Sequence, residues 1–184
     1  MKEKGEQNME LGELLIQRRS VRSYKEAKVT KEDIEAIIKA TLYAPSWKNT
    51  ETGRYHVAIS EEAIKAVYDC LPGFNQKSTK NAAYIVSSYK KELSGCSTPG
   101  VFTDEHKDSW GAYDLGLQNS YLILKASEMG YDTLIMGLRD EEKLREYFNI
   151  PDDEIILPVI AIGKRDKEVT MVPRKTVEEV LNTK

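Results

Sequence analysis

Two short apolar runs, Ala82 to Tyr89 and Ile155 to Ile162, set the tightest limit on how this chain can fold. Each has the length of a buried strand, and each is far shorter than the roughly 20 residues that span a bilayer. The segments around them read mainly as helices. Leu11, Leu14 and Leu15 open a helical face that runs into Arg18-Arg19-Ser20-Val21-Arg22. Thr30 caps a second helix, with Glu32 and Asp33 in its first turn and Ile34, Ile37, Ile38 and Leu42 at helical spacing, until Ala44-Pro45-Ser46 stops it. The polar stretch Trp47 to Gly53 reads as a loop leading to a strand in which Tyr55, Val57 and Ile59 alternate. Ser60 with Glu61 and Glu62 caps a short helix through Val67 that ends around Leu71-Pro72-Gly73.

Beyond the first apolar run, Lys90 to Lys107 carries Gly95, Pro99 and Gly100 and reads as a mobile flap within one core. Trp110 to Met129 is an apolar helix, with Leu115, Leu117, Tyr121, Leu122, Leu124 and Ala126 beside the small residues Gly111, Ala112, Gly116 and Ser120; its place is central. Gly130 ends it, Tyr131 to Met136 forms a strand, and Gly137 precedes a helix from Asp140 to Phe148. The tail after Lys164 is charged, and its apolar patch from Val177 to Leu181 is too small to close a core alone, so it is expected to pack on another subunit. The element order gives an α+β fold in a single domain over residues 1–184.

The chain is 40% hydrophobic and 31% charged with a formal net charge of -3, which fits a globular protein and gives no basic footprint for nucleic acid. Met1 to Glu10 lacks the apolar core of a secretory signal, so a cytoplasmic, membrane-free protein is expected. Cys70 and Cys96 read as free thiols. His56 and His106 have no ligand spacing, and no metal site is expected. Phe74, Tyr84, Phe102, Trp110 and Tyr113 could line a cavity, but the core is the better reading for most of them. The familiar dinucleotide, ATP, zinc-protease and serine-hydrolase motifs are missing.

Two clusters can carry chemistry. Arg18, Arg19 and Arg22, with Ser20 among them, could grip a phosphate through charge-assisted hydrogen bonds, or could be a solvated basic helix end. Pro45-Ser46-Trp47-Lys48-Asn49-Thr50 places an indole, an ammonium, an amide and hydroxyls in one loop, as in a binding loop or a plain turn.

The segments RRSVRSY (Arg18 to Tyr24), APSWKNTET (Ala44 to Thr52), LPVIAIGKRD and VPRKTVEEVL together resemble the nitroreductase family, in order and along nearly the whole chain. The resemblance implies a nitroreductase-like fold: a central, mainly antiparallel sheet flanked by helices, a flap at about 90–107 and a domain-swapped C-terminal arm at about 165–184. It implies a homodimer holding FMN noncovalently at its interface, with electrons passing in ping-pong fashion from NADH or NADPH to a nitroaromatic, quinone or similar electron-poor acceptor. Arg18, Arg19, Ser20 and Arg22 match phosphate and ribityl ligands; Pro45, Ser46, Trp47, Lys48 and Asn49 match residues near the flavin ring. Met136 and Gly137 match the backbone facing the flavin N5, and Arg174 and Lys175 a basic pair returning to the phosphate. Lys48 is the candidate for stabilising charge on the reduced ring. Where many relatives have Gln-Pro-Trp, this chain reads Glu51-Thr52-Gly53, which leaves the pocket shape open. The same scaffold also hosts flavin reductases and enone- or dehalogenase-type relatives, and a non-catalytic flavin-binding module is the alternative outside enzymes.

Overall fold

A computed structural model describes residues 10–184, so the expectation for the first nine residues lies outside it. The elements run α1 (Leu11–Gln17), β1 (Tyr24–Lys25), α2 (Lys31–Thr41), a 3-10 turn (Trp47–Asn49), β2 (Gly53–Ala58), α3 (Glu61–Asp69), α4 (Gly73–Ser78), β3 (Ala83–Lys90), β4 (Cys96–Thr98), β5 (Val101–Phe102), α5 (Ser109–Glu128), β6 (Asp132–Met136), α6 (Glu141–Phe148) and β7 (Glu154–Arg165).

The two apolar runs are the centre of the sheet. β3 pairs antiparallel with β7 from Ala83 opposite Ile162 to Lys90 opposite Glu154, β2 adds to the outer side of β3, β6 pairs with the other side of β7, and β1 pairs with the C-terminal end of β7. The sheet is therefore α+β and antiparallel at every named pairing, as expected. Both faces of β3 and β7 are covered. Tyr84, Val86, Val159 and Ala161 face α3 and α6 through Ala63, Val67 and Leu144, while Ile85, Ile160 and Ile162 face α2 and α5 through Ile34, Ile37, Leu122 and Ala126. This is why the runs are continuously apolar rather than alternating. Pro158, which cannot donate to a ladder, falls where the β3–β7 register shifts between Val86 and Ser88.

Several expectations need correction. The chain does not simply turn at Leu71-Pro72-Gly73: Pro72 is the N-cap of α4, which Asn75 and Thr79 anchor, the latter 2.9 Å from the Tyr84 hydroxyl. The region read as a mobile flap contains the β4–β5 hairpin. Gly95 at its base has φ +79°, and a Cβ there would fall 2.7 Å from Trp110 and 2.9 Å from the Lys107 carbonyl. Of the five aromatics favoured for the core, Tyr84 is fully buried, Phe102 and Trp110 are half-buried, and Phe74 and Tyr113 are exposed. Phe74 and Tyr113 occupy outward positions on α4 and α5, turned from the sheet. Cys70 and Cys96 are buried free thiols. No described helix is long and apolar enough to cross a membrane.

The α2 cap is a full capping box: the Thr30 hydroxyl accepts from the Asp33 N–H, and the Asp33 carboxylate accepts from the Thr30 N–H and from the Tyr131 hydroxyl at 2.7 Å. Those donors, Thr30 first and Tyr131 next, hold the Asp33 carboxyl below its ordinary range. A carboxylate with a depressed folded pKa stabilises above its unfolded value and loses that contribution as pH falls through the folded value. Asp33→Asn is expected to lower stability by about 1 kcal/mol at neutral pH, with the gap to the parent chain closing below about pH 4. Urea melts at pH 7 and pH 3 check this; an equal gap at both pH values would refute it.

Candidate functional site

Two groups of candidate residues lie on different parts of the chain. The first collects around the start of β6. Ser20 forms a parallel bridge with Thr133 and the Val21 N–H donates to the Thr133 carbonyl at 3.1 Å, so the segment after α1 is stitched beside the strand that ends at Met136. Arg18 is half-buried; burial, then the charges of Arg174 and Arg19, push its guanidinium below the ordinary range. Arg174 of the C-terminal tail is thereby brought within electrostatic reach of Arg18.

Arg19 donates to the Arg18 carbonyl at 2.9 Å and to the Ile16 carbonyl, yet its Nε is buried without a partner. Arg22 is exposed and donates to the Ser20 carbonyl at 3.2 Å. Among the described residues no ion pair uses Arg18, Arg19, Arg22, Arg174 or Lys175, whereas Arg139, Arg145 and Arg165 all meet carboxylates. Guanidiniums that make no ion pair, one of them with an orphaned donor, fit an anionic group such as a phosphate. Met136 is buried, strand pairing ends there, and Gly137 is exposed with nothing within 4 Å of a built Cβ. A ligand face can therefore approach that backbone closely.

The second group is the loop after α2. Lys48, Asn49 and Glu51 all take positive φ, 46°, 57° and 47°, a conformation that costs non-glycine residues energy and persists only when held. What holds it is Asp114 of α5, which is 2% exposed: its Oδ2 accepts the Trp47 N–H at 2.9 Å and the Ser94 hydroxyl at 2.6 Å. The Trp47 indole donates to the Cys96 carbonyl at 3.1 Å, the Thr50 and Ser94 hydroxyls are 3.1 Å apart, and the Ser46 hydroxyl accepts the Glu51 N–H at 3.1 Å. The Lys48 ammonium, exposed, donates to the Ser97 carbonyl at 3.2 Å; the Asn49 amide donates to Glu51. Loop and flap base are thus one unit pinned to α5. Pro45, Ser46 and Trp47 line a cavity of about 240 Å³ together with Trp110, Tyr113, Asp114 and Leu117. Asp114 and Ser94 were not among the sequence candidates.

Gly53 answers the Glu51-Thr52-Gly53 departure. A Cβ at residue 53 would overlap the Gln118 side-chain oxygen at 1.9 Å, so Gln118 fills the space beside this position. The polar cavity at Arg19 is lined by Gln17, Arg165, Glu168 and Val169. A groove of about 540 Å³ between α2 and β2 contains no candidate residue. His56, set aside as a ligand, pairs with Glu154 at 3.0 Å, and Ser88 donates to the same carboxylate oxygen at 2.6 Å. The histidine and the serine both meet one carboxylate oxygen and lie 3.3 Å from each other, a hydrogen-bonded cluster across the sheet.

The nitroreductase family model matches residues 15–164 of this sequence. YdgI of Bacillus subtilis (strain 168), provisionally named an NAD(P)H nitroreductase, is 29% identical over 85% of this chain and 88% of its own length. A nitroreductase family protein from Streptococcus pneumoniae TIGR4 superimposes with a TM-score of 0.82 at 19% identity, covering 95% of this chain and all of that one (100%). A provisionally named nitroreductase from Exiguobacterium sibiricum 255-15, crystallised in complex with FMN, gives 0.79 at 22% identity, with 96% and 98% covered.

Proposed function

The chain belongs to the nitroreductase family, and from that premise we propose that it is an FMN-dependent oxidoreductase, a single FMN-binding domain that acts as a homodimer. The observation that carries the reading is the set of guanidiniums at Arg18, Arg19 and Arg174 that make no ion pair among the described residues, beside the backbone that leads to Met136 and Gly137. When bound there, FMN would supply hydride acceptance from NADH or NADPH and delivery of the electrons to a nitroaromatic, quinone or similar acceptor in a ping-pong cycle.

Arg18, Arg19, Ser20 and Arg22 hold the phosphate and ribityl end, with Arg174 and Lys175 returning to it. Met136 and Gly137 present backbone to the reactive face. Pro45, Ser46, Trp47 and Asn49 shape the surroundings of the ring, and Lys48 supplies positive charge at its electron-rich edge. A relative solved with FMN supports the cofactor, and relatives named for NAD(P)H support the donor.

Two observations support a second copy completing the site. α5 leaves Tyr113 and Tyr121 exposed and Leu117 and Leu124 half-buried on one outward stripe, and the tail leaves Met171, Val172, Val177, Val180 and Leu181 exposed. Steady-state oxidation of NADH or NADPH with a quinone or nitroaromatic acceptor tests the function. FMN-dependent turnover with parallel double-reciprocal lines is expected; turnover equal with and without FMN would refute it.

A further inference from the structure

The turn that carries β6 into α6 is held by a side chain outside the site described so far. Gly137 and Leu138 are exposed, and Arg139 folds back onto them with its side chain only 18% exposed. Its Nη1 donates to the Gly137 carbonyl at 2.7 Å, and its Nη2 donates to the Ile156 carbonyl of β7 and to the Glu141 carboxylate at 2.9 Å. The Nε is buried without a partner, a cost that calls for a reason at this position. Glu141 also pairs with Arg145 at 3.2 Å, and Arg145 directs its donors to the carbonyls of Ile150, Pro151 and Glu154. One carboxylate thus carries two arginines, one fixed on the turn before α6 and the other on the turn after it.

A guanidinium presents its donors in a rigid planar fork, so a carbonyl that it holds has a fixed direction. The described chain has no cis peptide bond. The N–H of Leu138 therefore points opposite to the Gly137 carbonyl of the same peptide, away from Arg139. No described residue accepts from that N–H. A backbone N–H held in advance where negative charge develops stabilises that charge without reorganising. We propose that Arg139 is a positioning residue: by fixing the Gly137 carbonyl it aims the positive end of the 137–138 peptide toward the exposed side, and so raises the preference of the site for reduced over oxidised flavin. This rests on the FMN-dependent reading above, which places Met136 and Gly137 beside the reactive face. Arg139 acts through the peptide, and Arg145, on the same carboxylate, does not touch it.

Redox titration of the FMN-loaded chain reads the effect. Arg139→Met is expected to lower the preference for reduced over oxidised flavin about tenfold, equal to a fall of about 30 mV in the two-electron midpoint potential. Affinity for oxidised FMN is expected to stay near that of the parent, because the phosphate end is held by other residues. Glu141 keeps Arg145 in this variant, so no carboxylate is stranded. Arg139→Lys keeps the charge without the fork; it is expected to retain at least half of the fall, and it carries the comparison if Arg139→Met does not fold. Arg145→Met is the structural control, expected to lower the melting temperature and leave the potential unchanged. Less than half of the expected fall in Arg139→Met, recovery of more than half of it in Arg139→Lys, or an equal fall in Arg145→Met would overturn the proposal. A parent chain that binds no FMN would overturn the oxidoreductase reading and this inference together, whereas a parent that binds and reduces FMN, with variants of unchanged potential, would overturn this inference alone.

Discussion

Arg18→Ala is expected to raise the dissociation constant for FMN roughly 10- to 100-fold, because a charge-assisted hydrogen bond contributes about 1.5–3 kcal/mol and each 1.4 kcal/mol is about tenfold. The same substitution is expected to leave the flavin-free protein as stable as the parent or slightly more so. Arg18 is half-buried against the like charges of Arg174 and Arg19 and meets no acid among the described residues, so in the absence of an anion it works against the fold. That pair of signs separates a ligand-binding arginine from a structural one, which would lose stability when removed. Arg18→Lys keeps the charge without the planar fork and is expected to fall between the two. Fluorescence titration with FMN and a thermal melt of the flavin-free chain are the checks. Unchanged FMN affinity in Arg18→Ala would remove this residue from the phosphate site.

Asp114→Ala is expected to lower stability by about 2–4 kcal/mol, since it strands the Trp47 N–H and leaves the Ser94 hydroxyl with Thr50 alone in a buried setting. For a chain of this size that corresponds to a fall in Tm of about 5–15 °C. The damage extends beyond two bonds. The left-handed backbone at Lys48, Asn49 and Glu51 is kept in place by the Trp47 anchor, and without it the loop can relax to ordinary dihedrals. Calorimetry reads the stability, and a red shift of tryptophan emission reads the loosened Trp47. A fall in Tm under about 2 °C would show that the carboxylate is not the pin of this loop.

The difference between these two residues shows what the sequence could and could not convey. Arg18 stands out in the sequence because it lies in a run of like residues within the RRSVRSY segment. Asp114 carries no such local signal; its partners lie 67 and 20 residues away, and only the packed fold brings them together. His56 and Glu154 are 98 residues apart and were invisible for the same reason.

The fold divides along a similar line. The Thr30 capping box and the two central strands follow from local chemistry and apolar length, and they form where expected. β1 has two residues and exists only by pairing with Lys164 and Arg165. α4 has no helical period and is held from outside, by Tyr84 through Thr79. Tyr113, one of five aromatics left between cavity and core, lines a cavity on the outward side of a helix whose inner side has Leu115 and Leu122.

The most direct test of the central claim is an anaerobic absorbance titration of the chain reconstituted with FMN. On adding NADH or NADPH the oxidised flavin band is expected to bleach at one equivalent per bound flavin, and to return when a quinone or nitroaromatic is added. Flavin that stays bound and oxidised through excess of both nicotinamides would contradict the assignment.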